Sequence, residues 1–118
     1  MKAGLPVWRS LLYVPVNVEK YVEKAHTRGA DCILLDLEDS VPAAEKDNAR
    51  KLVARAAGRV RRGGADVVVR INRPDAMASS DLEASVGPEV NGIAVTKVDD
   101  AAHLRRLDEI VEIGRAHV

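Results

Sequence analysis

The 118-residue chain has little of several things that would point to a particular class of protein. It carries no net charge, since 18 Lys and Arg balance 18 Asp and Glu. A nucleic-acid or anionic-membrane partner therefore has no electrostatic support. There is one cysteine, Cys32, and it sits inside an apolar run. A lone thiol excludes a disulfide framework and a thiolate metal site, and reads as a buried core residue in a reducing compartment. No long apolar segment follows the start, Met1-Lys2-Ala3-Gly4, so neither a signal peptide nor a spanning helix is expected and the cytoplasm is the default location. Repeats and low-complexity segments are missing too. What is there, 47% hydrophobic and 31% charged residues, suits a globular protein of one domain at most.

The apolar residues fall into an alternation of strand and helix patterns. Leu11 to Val14 is a short run closed by Pro15, a first strand. Tyr21, Val22 and Ala25 follow at helical spacing, with Gly29 at the C′ position where a helix ends. Cys32-Ile33-Leu34-Leu35 opens a second strand that runs directly into Asp36, Glu38 and Asp39. Pro42 precedes a second helix through Leu52, Val53 and Ala56, broken at Gly63-Gly64. Val67 to Asn72 is a third strand, and Ala76 to Ser85 reads as a loop with one or two helical turns. Gly92 to Lys97 makes a fourth strand, and Ala101, Leu104, Leu107 and Ile110 mark a fourth helix. This rhythm predicts an α/β fold, four parallel strands in the order 1-2-3-4 with right-handed crossover helices.

Chemistry-bearing residues recur at one place in each unit, the C-terminal end of the strand. Asp36 and Glu38 end the second, Arg70 and Asn72 the third, Lys97 the fourth. Alternation puts Leu34, Asp36 and Glu38 on one face, Arg70 and Asn72 together with Val68, and Lys97 with Val95 and Ile93. Parallel α/β folds carry their sites at this end. Acids, a guanidinium and an amide gathered there suit a small dicarboxylate or keto acid, because arginine grips a carboxylate with a planar fork. Plainer readings stand beside this one. The acids could simply begin a loop or cap a helix, Arg70 could be a structural partner of a strand-end acid, and Lys97 could reach solvent.

Arg9 to Pro15, Lys24-Ala25, Gly29-Ala30-Asp31, Leu35 to Val41, Glu45-Lys46, Ala49-Arg50, Val69 to Asn72 and Val95 to Val98 together resemble the citrate lyase β-subunit group. That group stands with the malyl-CoA lyases in the HpcH/HpaI aldolase superfamily. The resemblance implies a TIM (β/α)8 barrel whose members make or break C–C bonds in β-hydroxyacyl-CoA thioesters, with Mg²⁺ chelated by the α-keto acid. It matches Arg70 to the keto-acid arginine, Glu38 and Asp39 to the acidic motif beside the metal, with Asp36 at its start, and Arg9 and Tyr13 to the CoA region. Asn72 and Lys97 complete the candidate substrate contacts. Pro15-Val16-Asn17 departs from the group's usual Pro-Gly, and Thr96 replaces the usual proline before Lys97.

Four βα units are half of the eight that close such a barrel. Residues 1–112 therefore read as the N-terminal half, and the resemblance puts the metal ligands, a glutamate and an aspartate, on later strands. Residues 113–118, Ile-Gly-Arg-Ala-His-Val, leave the helical pattern and match the translation of a common sequencing-adapter read, so a non-native tail is expected. The implied function is a CoA-ester lyase that cleaves citryl-CoA or malyl-CoA to acetyl-CoA and an α-keto acid, homo-oligomeric at full length, with the half barrel inactive alone. The alternatives are an aldolase on free hydroxy-keto acids and, from another class, a receiver-like signalling domain. The second needs a phospho-accepting aspartate where Arg70 stands.

Overall fold

The computed structural model describes residues 6–116. Met1 to Leu5, His117 and Val118 lie outside them, and with these residues part of the expectations about both ends of the chain. Four strands, β1 (Leu11–Pro15), β2 (Cys32–Asp36), β3 (Asp66–Arg70) and β4 (Gly92–Ala94), alternate with four helices, α1 (Glu19–Lys24), α2 (Lys46–Val60), α3 (Asp75–Ser85) and α4 (Ala101–Ala116). The sheet is parallel throughout, in the order β1-β2-β3-β4, as the pattern predicts.

All four helices pack on one face. Ile33, Leu35 and Leu37 of β2 and its exit, with Val67, Val69 and Ile71 beside them, meet Val22, Val53, Val60, Leu82 and Leu107 from the helices. Each such fully buried side chain contributes about 1.5–3 kcal/mol. In α2 the buried positions are Ala49, Val53, Ala56, Ala57 and Val60, the three-and-four spacing of one helical face. Two glycines carry the returns. Gly29 has φ +76°, and Gly63 passes so close to His26 that a Cβ there would stand 2.4 Å from its carbonyl oxygen.

The opposite face holds Cys32, Leu34 and Val68, against which Trp8 and Ala94 pack. The indole Nε1 donates to Asp66 Oδ2 at 2.8 Å, fixing Trp8 across the N-terminal end of the sheet. With that cover Leu34 and Val68 are only 3% and 6% exposed.

Three expectations need correction. The stretch 76–85 is a full helix, α3, entered after Pro74 with Asp75 in its first turn. Its buried stripe is Ala78, Asp81, Leu82 and Ser85, two of them polar, so apolar periodicity could not reveal it. Strand β4 stops at Ala94, and Val95 lines an apolar groove of about 740 Å³ with Ile93, Leu104 and Leu107 on the helix side. Helix α4 continues to Ala116, so the backbone of residues 113–116 is helical, against the expected departure from a helix after Glu112. Among the described residues no helix is long and apolar enough to cross a membrane.

Candidate functional site

Register decides where the charges meet. Asp36 and Arg70 are direct partners across β2 and β3. Arg70 Nε donates to Asp36 Oδ1 and Nη2 to Oδ2, both at 2.8 Å. Asp36 is 1% exposed and also accepts from the amides of Glu38 (2.9 Å) and Ser40 (3.0 Å) and from Ser40 Oγ (2.6 Å). Burial alone would push this carboxyl up, but the Arg70 guanidinium, the Ser40 hydroxyl and the two amides outweigh it and hold the group well below the usual carboxylate range. Reciprocally, the bond to Asp36 raises Arg70 further above its ordinary value. The Tyr13 ring lies beneath the guanidinium, 5.0 Å from centroid to Cζ, so the cation is held from a side and a face.

Glu38 stands next to this pair and is 93% buried by its 7% side-chain exposure. Its Oε1 lies 3.7 Å from Arg70 Nε and has no hydrogen-bond partner. Its Oε2 accepts from Lys97 Nζ, which also reaches Asp39 Oδ1 at 3.3 Å. Strict alternation would have sent Lys97 to the helix side with Ile93. Instead the strand has already ended and Lys97 takes φ +53°, a left-handed conformation that costs a non-glycine residue about 1–2 kcal/mol. That twist carries the amine to the acids, and Glu38 followed by Asp39 raises its pKa.

Asp36, Glu38, Asp39, Arg70, Lys97 and Tyr13 thus converge at one mouth. Asn72 and Arg9 do not. Asn72 is 4% exposed and turned beneath the strand ends, where its Nδ2 donates to Leu37 O at 2.9 Å and to Asp81 Oδ2 at 2.8 Å. Arg9 lies before β1, at the other end of the sheet, bound to Asp31. The 740 Å³ groove is not this site either, since it lies across the sheet from Arg70 and is lined mainly by apolar residues.

Sequence reasoning missed the roles of Ser40, Lys46, Arg50 and Asp81. Lys46 Nζ donates to Leu37 O, Glu38 O and Asn72 Oδ1 at 3.1, 2.7 and 2.8 Å. Asp81 accepts from Arg50 Nε at 2.8 Å. A lysine placed in a helix's first turn, against the macrodipole, was the one local hint. Nothing near Asp81 marked it.

The family model for HpcH/HpaI aldolase/citrate lyase matches residues 9–116. The chain belongs to that family. Over 113 residues it is 39% identical to the citrate lyase subunit beta of Leuconostoc mesenteroides subsp. cremoris, a match covering 91% of this chain and 37% of that protein. It is 37% identical over 105 residues to a (3S)-malyl-CoA thioesterase of Cereibacter sphaeroides, covering 88% of this chain and 37% of the relative. Human mitochondrial citramalyl-CoA lyase is 31% identical over 100 residues, 82% of this chain and 29% of that enzyme. The chain therefore spans about a third of the length of these relatives. Family membership leaves the receiver reading without support.

Proposed function

We propose that these residues are the N-terminal part of a CoA-ester lyase of the citrate lyase β-subunit type, cytoplasmic and homo-oligomeric at full length. It would cleave citryl-CoA or malyl-CoA reversibly to acetyl-CoA and an α-keto acid. In this proposal the native barrel portion runs to Glu112 and continues beyond it. The observation that carries the reading is the Asp36–Arg70 pair at the strand ends, with Glu38 and its unpartnered Oε1 alongside. The names of the malyl-CoA thioesterase and the citramalyl-CoA lyase support a CoA ester over a free hydroxy-keto acid.

Asp36 occupies the Nε–Nη2 edge of Arg70, so the sequence expectation of a fork wholly open to substrate needs amendment. What Arg70 offers a keto-acid carboxylate is its Nη1–Nη2 end. Because Asp36 and Tyr13 already fix the guanidinium, little ordering cost falls on binding, and its charge is preorganised for a developing enolate or alkoxide oxygen. Glu38 Oε1, which no protein donor fills, would accept a hydrogen bond from a substrate hydroxyl, while Lys97 holds the other carboxylate oxygen in place.

The divalent cation implied by the family, Mg²⁺, would act as a Lewis acid on the keto-acid carbonyl. Among the described residues no three Asp, Glu, His or Cys side chains gather as a cation site requires, and both oxygens of Asp36 are engaged. This part of the chain does not fit the cation by itself.

The test is to express the complete gene and follow acetyl-CoA release from citryl-CoA, malyl-CoA and citramalyl-CoA with Mg²⁺ present. Turnover of at least one with release of a keto acid is expected. Cleavage of a free hydroxy-keto acid with no turnover of any CoA ester would overturn the proposal.

A further inference from the structure

Beneath the mouth lies a second polar cluster that touches both strand exits. Lys46 spends the three donors of its ammonium on Leu37 O, Glu38 O and Asn72 Oδ1. Asn72, two residues past Arg70, gives its own amide and its Nδ2 to Asp81 Oδ2, both at 2.8 Å. Asp81, 1% exposed, is matched on its other oxygen by Arg50. The Leu37 amide donates to Arg70 O at 3.0 Å, so the residue whose carbonyl Lys46 holds is also tied, through its preceding peptide group, to the backbone of Arg70.

Stability does not account for this arrangement. A cation in the first turn of α2 opposes the helix dipole. Replacing buried ionic groups by apolar ones of similar volume is often neutral or stabilising. What the cluster does, and apolar packing could not do, is fix the direction of particular peptide groups.

We infer that Lys46 is a positioning residue: by clamping the Leu37 and Glu38 carbonyls and Asn72 it sets how Glu38 and Arg70 face the substrate, without touching a reacting atom. This rests on the proposed lyase reading for what is positioned, though not for the clamp itself.

The experiment uses the full-length protein with Lys46→Met, and Lys51→Met on the exposed side of the same helix as control. Lys46→Cys alkylated with 2-bromoethylamine rebuilds an amine at lysine length, and Cys32 is buried away from the reagent. A misplacement on the order of 1 Å costs up to about a hundredfold. Lys46→Met should thus lower kcat by about tenfold or more with KM for the CoA ester within about threefold, the alkylated cysteine should recover it, and Lys51→Met should change neither. Hydrogen–deuterium exchange at the Glu38 and Ser40 amides should speed up by about tenfold in Lys46→Met. Should the methionine variant not fold, Lys46→Gln takes its place in both measurements. A kcat within twofold of wild type, a loss that the restored amine does not reverse, or unchanged exchange overturns the inference. If the wild-type protein turns over no CoA ester, the lyase reading has failed, and the exchange comparison alone decides whether the clamp exists.

Discussion

The sheet carries an Arg–Asp pair at each end, and the two are built from the same atoms. At the C-terminal end Arg70 Nε and Nη2 meet Asp36 at 2.8 Å each. At the N-terminal end Arg9 Nε and Nη2 meet Asp31 at 3.2 and 3.3 Å. In each case the aspartate raises the pKa of the arginine, and the arginine helps to depress that of the aspartate. Surroundings separate them. The Arg9 side chain is 84% exposed and Asp31 24%, against 20% for Arg70 and 1% for Asp36. An exposed pair is screened and contributes little. A buried pair is costly to assemble and costlier to break, so it survives where it holds a cation in place for another ligand. Position in the fold, rather than residue type, makes one arginine a candidate for chemistry and the other a fastener.

The comparison is tested most severely at Arg70. In the full-length protein Arg70→Lys keeps the charge and loses the fork, and should reduce kcat/KM by about a hundredfold, the scale of one oriented stabilising donor. Near-normal kinetics would make Arg70 a fastener like Arg9. Asp36→Asn leaves the guanidinium without its counter-charge and should cost about 3 kcal/mol of stability, the low end for breaking a buried pair, read by urea denaturation at pH 7.

That cost should depend on pH in a known direction. The folded-state pKa of Asp36 is depressed, so its contribution is fully present above the unfolded value of about 3.9 and is lost as pH falls below it toward the folded value. The stability gap between wild type and Asp36→Asn should therefore narrow below about pH 4. A gap that widened on acidification would contradict the ionised assignment.

Smaller again is the effect expected at Glu38, whose worth lies in where it stands. Glu38→Gln should lower turnover by about tenfold or more, short of the roughly hundredfold at which positioned acid–base groups begin, because Glu38 is assigned a hydrogen bond to substrate rather than a proton transfer. Asp47→Asn, on an exposed helical turn where it meets Arg50, should not. Equal effects at equal stability would remove Glu38 from the mouth.

The order of strands, the helix-covered face and the clustering of Asp36, Glu38 and Arg70 were legible because each depends on spacing within a few residues. Strand alternation is a local rule that brings these residues to strand ends, while the register that sets Asp36 opposite Arg70 is seen only in the structure. The rest was hidden because it depends on contacts between distant segments. Lys97 reaches Glu38 only through a left-handed turn that no side chain announces. Asp81 is buried because Asn72 and Arg50 meet it from nine and thirty-one residues away. Asn72 obeyed the strand pattern on paper, but β3 ends at Arg70 and the residue turns under the sheet. Arg9 binds Asp31 at the end of the sheet away from Arg70, a pairing the motif alone did not show.

The smallest effect is predicted at Arg9, and its smallness is informative. The resemblance associates Arg9 with the CoA region, whereas in this fold its guanidinium binds Asp31 before β2, at the end of the sheet away from Arg70. If that placement holds in the complete protein, Arg9→Ala removes a solvated pair and leaves the chemistry alone. The KM for the CoA ester should stay within about twofold, as for a surface substitution. Any loss of thermal stability should shrink between low salt and about 1 M, where the screening length falls to about 3 Å. Asp31→Asn should behave in the same way, because one interaction accounts for both. A tenfold rise in KM for Arg9→Ala with Asp31→Asn unaffected would break the symmetry. Arg9 would then have to leave Asp31 and reach the nucleotide end of the thioester from the opposite end of the sheet, and the contrast between the two pairs would no longer be one of burial.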